Sequence, residues 1–212
     1  MNVVFIAPPA AGKGTQATLL RDNYNFYHIS TGDVLREIAE TNTPLGCEIK
    51  ALIDNGKLVS DELMAKLLKE KIGSLGNVEG IIFDGFPRTL EQAHMLDEIL
   101  NEVGMKVNKV IYFDIDKDTA MKRALGRVTC KDCGEIYNTY FDTFLKEDEC
   151  SGGKLEKRMD DTEEKFSNRF DTYLEKTKPL IDYYTNLNLL ETVNCSDSKD
   201  NIFNKIKFII EK

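Results

Sequence analysis

Lys13 follows the small-residue run Ala7-Pro8-Pro9-Ala10-Ala11-Gly12 and precedes Gly14 and Thr15, a spacing suited to gripping phosphate. Small side chains leave backbone N–H groups free to surround an anion, a helix opening there adds its positive end, and the lysine adds a full charge. The pattern departs from G-x-x-x-x-G-K-[ST]. Ala7 stands where the first glycine belongs, and Gly14 displaces the hydroxyl to Thr15. A plain small-residue turn bearing an exposed lysine is the competing reading of this stretch alone.

Three further sets could do chemistry. Asp84 closes the apolar run GIIFD, and an acid at the end of a strand beside a phosphate loop can hold Mg2+ directly or through water; its simpler reading is a strand-end cap. Of 28 basic residues only Arg21, Arg36, Arg88, Arg123, Arg127, Arg158 and Arg169 are arginine. In a chain that otherwise uses lysine, arginines are candidates for bidentate recognition of phosphate, although Arg21 reads as an ordinary solvated charge. Cys130 and Cys133 form C-x-x-C-G, the spacing of a zinc knuckle, with Cys150 a possible third thiolate. No cysteine or histidine stands three residues after Cys150, so the fourth ligand is open among Ser151, Glu147 and Asp148, and reduced cysteines without metal are the alternative. His28 and His94 have no acid/base partner legible in the sequence and read as structural or surface residues.

Of the elements that must carry these residues, Val3 to Ile6 is a continuous apolar run suited to a strand buried on both faces. GIIFDG and KVIYFDI are two more strands, Tyr27 to Ser30 a short extended piece, and Leu189 to Val193 a last one. Helices are expected over 16–22, 34–38, 48–54, 62–72, 90–103, 118–126, 162–184 with a break at Pro179, and 200–211. Strands alternating with helices predict an α/β fold with a parallel sheet and right-handed crossovers. Residues 30–59 form a small helical excursion, and from Val128 to about Asp161 the texture turns polar and turn-rich, with Tyr137, Tyr140, Phe141 and Phe144 in alternation.

The 212 residues suffice for one core domain with insertions, and a net charge of -8 argues against broad electrostatic binding to nucleic acid or an anionic membrane. No basic region precedes the first apolar run and no apolar stretch nears the roughly 20 residues of a spanning helix. A cytoplasmic chain is expected, with no membrane or nucleic-acid partner.

Taken in order, PPAAGKGTQ, STGDVLRE, NGKLVSDE, FDGFPRTLEQA, RALGR, a cysteine-bearing segment and the stretch from Arg158 to Arg169 resemble the adenylate kinase family over essentially the whole chain. The resemblance implies a P-loop core over 1–29, 60–125 and 164–212, a nucleoside-monophosphate-binding insertion over 30–59, and a lid over 126–163. It implies an ATP:AMP phosphotransferase that forms ADP, working as a monomer with Mg2+ and a structural Zn2+. Ala10, Ala11, Gly12, Lys13, Gly14 and Thr15 then match the ATP loop, with Arg123, Arg127, Ile136, Tyr137 and Asp197 also on the ATP side. Thr31, Arg36, Lys57, Leu58, Val59, Gly85, Phe86, Pro87, Arg88 and Gln92 match the AMP side, joined by Arg158 and Arg169. Lys13, Arg88, Arg123, Arg158 and Arg169 are implied as catalytic. Six of the seven arginines singled out by composition fall on these positions.

The family usually has glycine where Ala7 and Ala10 stand, and Cys195 replaces a glycine near the expected adenine loop. Three other readings compete: a kinase for another nucleotide base, a zinc-ribbon nucleic-acid binder, and a P-loop switch that hydrolyses nucleotide slowly. Thr31 and Gln92 favour adenine in the first, the acidic charge opposes the second, and the third lacks an identifiable water-positioning residue.

Overall fold

A computed structural model of the chain describes residues 1–55, 57–76, 78–132, 134–141 and 155–212. The apolar run at the N-terminus forms β1 (Asn2–Ile6), every residue of it buried. It leads through the phosphate loop into α1 (Lys13–Tyr24), followed by β2 (Phe26–Ser30), α2 (Thr31–Ala39), α3 (Pro44–Asp54) and α4 (Asp61–Gly73). Then come β3 (Gly80–Asp84), α5 (Leu90–Glu102), β4 (Lys109–Asp114), α6 (Lys117–Leu125), β5 (Arg127–Cys130), β6 (Ile136–Asn138) and β7 (Leu155–Glu156). The chain closes with α7 (Glu163–Thr172), a π-helical turn at Tyr173–Thr177, α8 (Pro179–Asn186), β8 (Leu190–Asn194) and α9 (Lys199–Ile210).

Five strands make one parallel sheet in the order β2-β3-β1-β4-β8, the α/β arrangement expected from the alternation of strands and helices. Successive residues of β1 point to opposite faces. Val3 and Phe5 join a core with Ala17, Leu20, Phe166 and Ile206, while Val4 and Ile6 join another with Leu68, Leu96, Leu100 and Tyr184. Each such large side chain fully removed from water contributes about 1.5–3 kcal/mol, so the sheet is a rigid base whose C-terminal edges can carry a site. β5 pairs antiparallel with β6 and β7 in a separate three-stranded sheet.

Some boundaries differ from the sequence reading for identifiable reasons. α1 starts at Lys13, three residues before the expected Gln16, because the left-handed Gly12 serves as its N-cap. α3 starts at Pro44, where the Thr43 hydroxyl accepts the Gly46 N–H and the missing proline N–H costs nothing. The break expected at Pro179 is a widened turn. Pro179 has no N–H to donate, and the preceding Lys178 N–H reaches back five residues to the Tyr173 carbonyl at 2.8 Å.

Candidate active site

The site grows from the ends of β1 and β3. Their parallel register sets Phe5 opposite Asp84, so the acid emerges beside the phosphate loop. Lys13 Nζ lies 3.0 Å from Asp84 Oδ1. Burial would raise the Asp84 pKa, but the Lys13 ammonium and His28 outweigh it and hold the carboxyl far below the ordinary carboxylate range. His28 corrects the sequence reading: its Nε2 lies 3.3 Å from Asp84 Oδ2 and it lines the same cleft. His94, by contrast, packs edge-on against Tyr183 at 5.3 Å.

The arginines converge from four elements and two loops onto a cleft of about 1160 Å3. Ala10 to Thr15 line one wall, and Arg36, Arg88, Arg123, Arg127, Arg158 and Arg169 reach into it. Two aspartates that the sequence placed in no role hold several of these guanidiniums. Arg127 makes a two-pronged pair with Asp161, at 2.7 and 2.6 Å, and the Asp161 side chain is only 1% exposed. Arg158 and Arg169 share Asp160, each at 3.1 Å. Burial of Asp160 would raise its pKa, but Arg158 and Arg169 drive it below the ordinary value. The crowding acts on the cations as well: burial lowers the Arg88, Arg123 and Arg158 pKa values, and Arg169 falls to about 10. These arginines are therefore partly desolvated and concentrated, conditions in which a polyanion gains most from arriving.

A smaller recess adjoins the cleft under α2, α3 and α4. Thr31, Arg36, Lys57, Leu58, Val59, Gly85, Phe86, Arg88, Gln92 and Arg169 line it, and Pro87 turns instead towards the cleft. Gly85 makes the tight turn between β3 and the recess. Its φ is +88°, and a Cβ there would stand 2.5 Å from the Thr31 hydroxyl. Arg88 folds back over this turn, its Nε donating to the Gly85 carbonyl at 2.8 Å.

Ile136, Tyr137 and Asp197 also line the cleft. The Asp197 carboxylate is committed to α9: it accepts from Asn201 Nδ2, the Ser198 N–H and Lys205 Nζ, and these lower its pKa to about 2. Cys130 is buried at the end of β5, away from the cleft, while Cys133, Cys150 and the candidate fourth ligands Glu147, Asp148 and Ser151 lie outside the described residues. Among the described residues no group of three His, Cys, Asp or Glu side chains is arranged around a metal position. Likewise, no helix among them is long and apolar enough to cross a membrane.

His28, Asp160 and Asp161 are the functional candidates that sequence reasoning missed. For the two aspartates a signal existed, since they follow Arg158 and precede Arg169 in a chain poor in arginine. For His28 there was none, because its partner is 56 residues away.

A parallel sheet whose first strand runs into a lysine-bearing phosphate loop, opposite converging arginines, defines a P-loop phosphotransferase. The sequence model of a family described as adenylate kinase matches residues 5–189. Curated relatives named adenylate kinase agree along the whole chain. The protein of Thermodesulfovibrio yellowstonii is 44% identical over 100% of both chains. Those of Clostridium tetani and Bacillus thuringiensis are 40% and 39% identical, each over 99% of this chain and 98% of theirs. The chain belongs to the adenylate kinase family.

Proposed function

We propose that the chain transfers the γ-phosphoryl group of Mg-ATP reversibly to AMP, giving two ADP. The observation that carries this reading is that Arg36, Arg88 and Arg169 line both the cleft and the recess. Two nucleotides seated in these spaces would meet with their phosphates among shared guanidiniums. Phosphoryl transfer asks for little covalent chemistry, so positioning and fixed positive charge supply most of the catalysis. In this reading Ala10 to Thr15, Arg123, Arg127, Ile136, Tyr137 and Asp197 hold ATP. Thr31, Arg36, Lys57 to Val59, Gly85 to Arg88 and Gln92 hold AMP. Lys13, Arg88, Arg123, Arg158 and Arg169 surround the group in flight.

Asp160 and Asp161 have a part in it. They hold the guanidiniums in place before nucleotide arrives, and the arginine N–H groups that these pairs leave unused would meet phosphate without the carboxylates having to be given up. Mg2+ fits the residues present, because Asp84 is kept as an anion at neutral pH and would hold the ion together with Thr15 and the nucleotide. Held there, the ion would supply positive charge against the negative charge of the transferring phosphates.

The reading includes two closing segments, residues 30–59 and 126–163, which would exclude water from the transferring group. It also includes a structural Zn2+ on Cys130, Cys133 and Cys150. The turn after Cys130 suits a knuckle: the Gly134 N–H donates to the Cys130 carbonyl at 3.0 Å, and Gly134 has a φ of +75°. A cytoplasmic monomer completes it, since both nucleotide spaces are built from one chain; sedimentation at twice the chain mass would contradict this.

The deciding experiment is ADP formation from Mg-ATP with AMP, GMP, CMP or UMP. AMP is expected to be much the best acceptor. Preference for another base would reassign the acceptor, ADP release without any acceptor would indicate a hydrolytic switch, and inactivity joined to salt-dependent RNA or DNA binding would support the zinc-ribbon alternative.

A further inference from the structure

Gln92 stands in the first turn of α5, where the Thr89 hydroxyl accepts its backbone N–H at 3.2 Å. Its side chain lines the recess, is 3% exposed, and is held at both ends of the amide. Oε1 accepts the Arg88 backbone N–H at 2.8 Å, and Nε2 donates to Asp61 Oδ1 at 2.8 Å. A backbone N–H can only donate and a carboxylate can only accept. Turning the amide over would set donor against donor at Arg88 and acceptor against acceptor at Asp61. The orientation of this glutamine is therefore dictated by its neighbours.

After those two bonds the amide retains one lone pair on Oε1 and one N–H on Nε2, in a fixed order. Adenine matches that order: its exocyclic amino group donates to Oε1, and a ring nitrogen beside it accepts from Nε2. Guanine and uracil carry an oxo group where adenine and cytosine carry the amino group. They would set oxygen against oxygen unless the amide reversed. Cytosine offers the adenine order, so hydrogen bonding at this point does not separate CMP, and the informative comparison is AMP with GMP.

The geometry points to Asp61 as a positioning residue that sets the choice of acceptor base by locking the Gln92 amide. This rests on the recess being the AMP site, as proposed above. Asp61 itself touches no part of the nucleotide in this assignment. Its other role is ordinary: it is the first residue of α4, where a negative charge is favourable. The two roles part in their consequences. Loss of a helix-terminal charge lowers stability alone, whereas loss of the lock changes discrimination between bases.

The test is Asp61→Ala assayed with AMP and GMP at saturating Mg-ATP. The GMP-to-AMP ratio of kcat/KM should rise by about tenfold, because one of two opposed contacts that forbid amide reversal is gone. The change should sit in the KM for AMP, with kcat at saturating AMP and the KM for ATP held within about twofold. An unchanged ratio, with only the melting temperature lowered, overturns the inference. A second measurement needs no variant: in the wild-type chain the Gln92 Nε2 proton bonded to Asp61, followed by 15N NMR, should exchange with solvent slowly. Exchange as fast as that of a surface glutamine overturns it equally. Wild-type protein that forms no ADP from AMP would instead remove the functional reading, whereas wild type preferring AMP beside an equally selective Asp61→Ala removes the lock alone.

Discussion

Lys13 Nζ and Asp84 Oδ1 stand 3.0 Å apart, joining the phosphate loop after β1 to the end of β3, with only 22% and 12% of their side chains exposed. The pair has a stability consequence as well as a catalytic one. A carboxyl whose folded pKa is depressed adds stability above its unfolded pKa, near 4, and loses that contribution as pH falls towards the folded value. Lys13→Met removes the main cause of the depression and leaves a buried carboxylate supported only by His28 and the Arg88 guanidinium, at a cost of about 3 kcal/mol near neutral pH. Below about pH 4 the variant's Asp84 takes up its proton more readily than the wild type's, which relieves the unpaired charge. Denaturant melts from pH 7 to pH 3 should therefore show the gap between the two proteins narrowing. A constant or widening gap would contradict the assignment.

The phosphate loop, the central strands and the arginine set were legible in the sequence because each rests on local composition: small residues before Lys13, β-branched runs, arginine among lysines. The relationships that tune them were not. His28 meets Asp84 because β2 and β3 pair in parallel, and Asp61 meets Gln92 because α4 returns to the start of α5. Contacts of this kind have no local signal. The π-helical turn before Pro179 also escaped, since a proline in a helical pattern announces an interruption without saying how the backbone absorbs it.

The two alanines that stand where the family usually has glycine should respond to glycine in opposite ways. Ala10 has a φ of +61°, left-handed backbone that costs a residue with a Cβ about 1–2 kcal/mol, of which the greater unfolded-state freedom of glycine takes back a part. Ala10→Gly should therefore stabilise the chain by about 0.5–1 kcal/mol, raising Tm by roughly 2 °C. Ala7 has no such φ and is buried in the core under the loop, so Ala7→Gly gains nothing in the native state and should cost about 1 kcal/mol. Paired thermal melts decide it, and a destabilising Ala10→Gly would count against the strain.

Residues 30–59 and 126–163 are proposed to close over the cleft as units. Among the described residues the β5-β6-β7 ladder of the second has no strand pairing to the central sheet, and in the first Asp54 of α3 makes an exposed 2.9 Å ion pair with Lys165 of α7, a contact worth at most about 1 kcal/mol. Weak attachments of this kind allow opening and reclosing. A bisubstrate analogue in which phosphates join two adenosines should slow proteolytic cleavage within both ranges. Cleavage rates unchanged at both would remove the two-segment reading.

Zinc is the sharpest point on which the chain can be questioned. Cys130 ends β5 and is buried, the Gly134 N–H returns to its carbonyl, and Cys133 and Cys150, outside the described residues, are the thiols proposed beside it. Three thiolates leave a fourth position to Ser151, Glu147, Asp148 or water. Zinc so held would tie the end of β5 to later residues without touching the transferring phosphate, which the arginines and Mg2+ serve elsewhere. Its removal should therefore affect stability more than chemistry. Protein purified without chelator or metal-binding tag should contain close to one zinc per chain, and Cys133→Ser should lose it. Chelation should lower the melting temperature, yet leave most ADP formation intact well below that temperature once Mg2+ is restored. Wild-type chain that is metal-free, and that takes up no zinc under reducing conditions, would eliminate the site and leave the segment to its β-ladder.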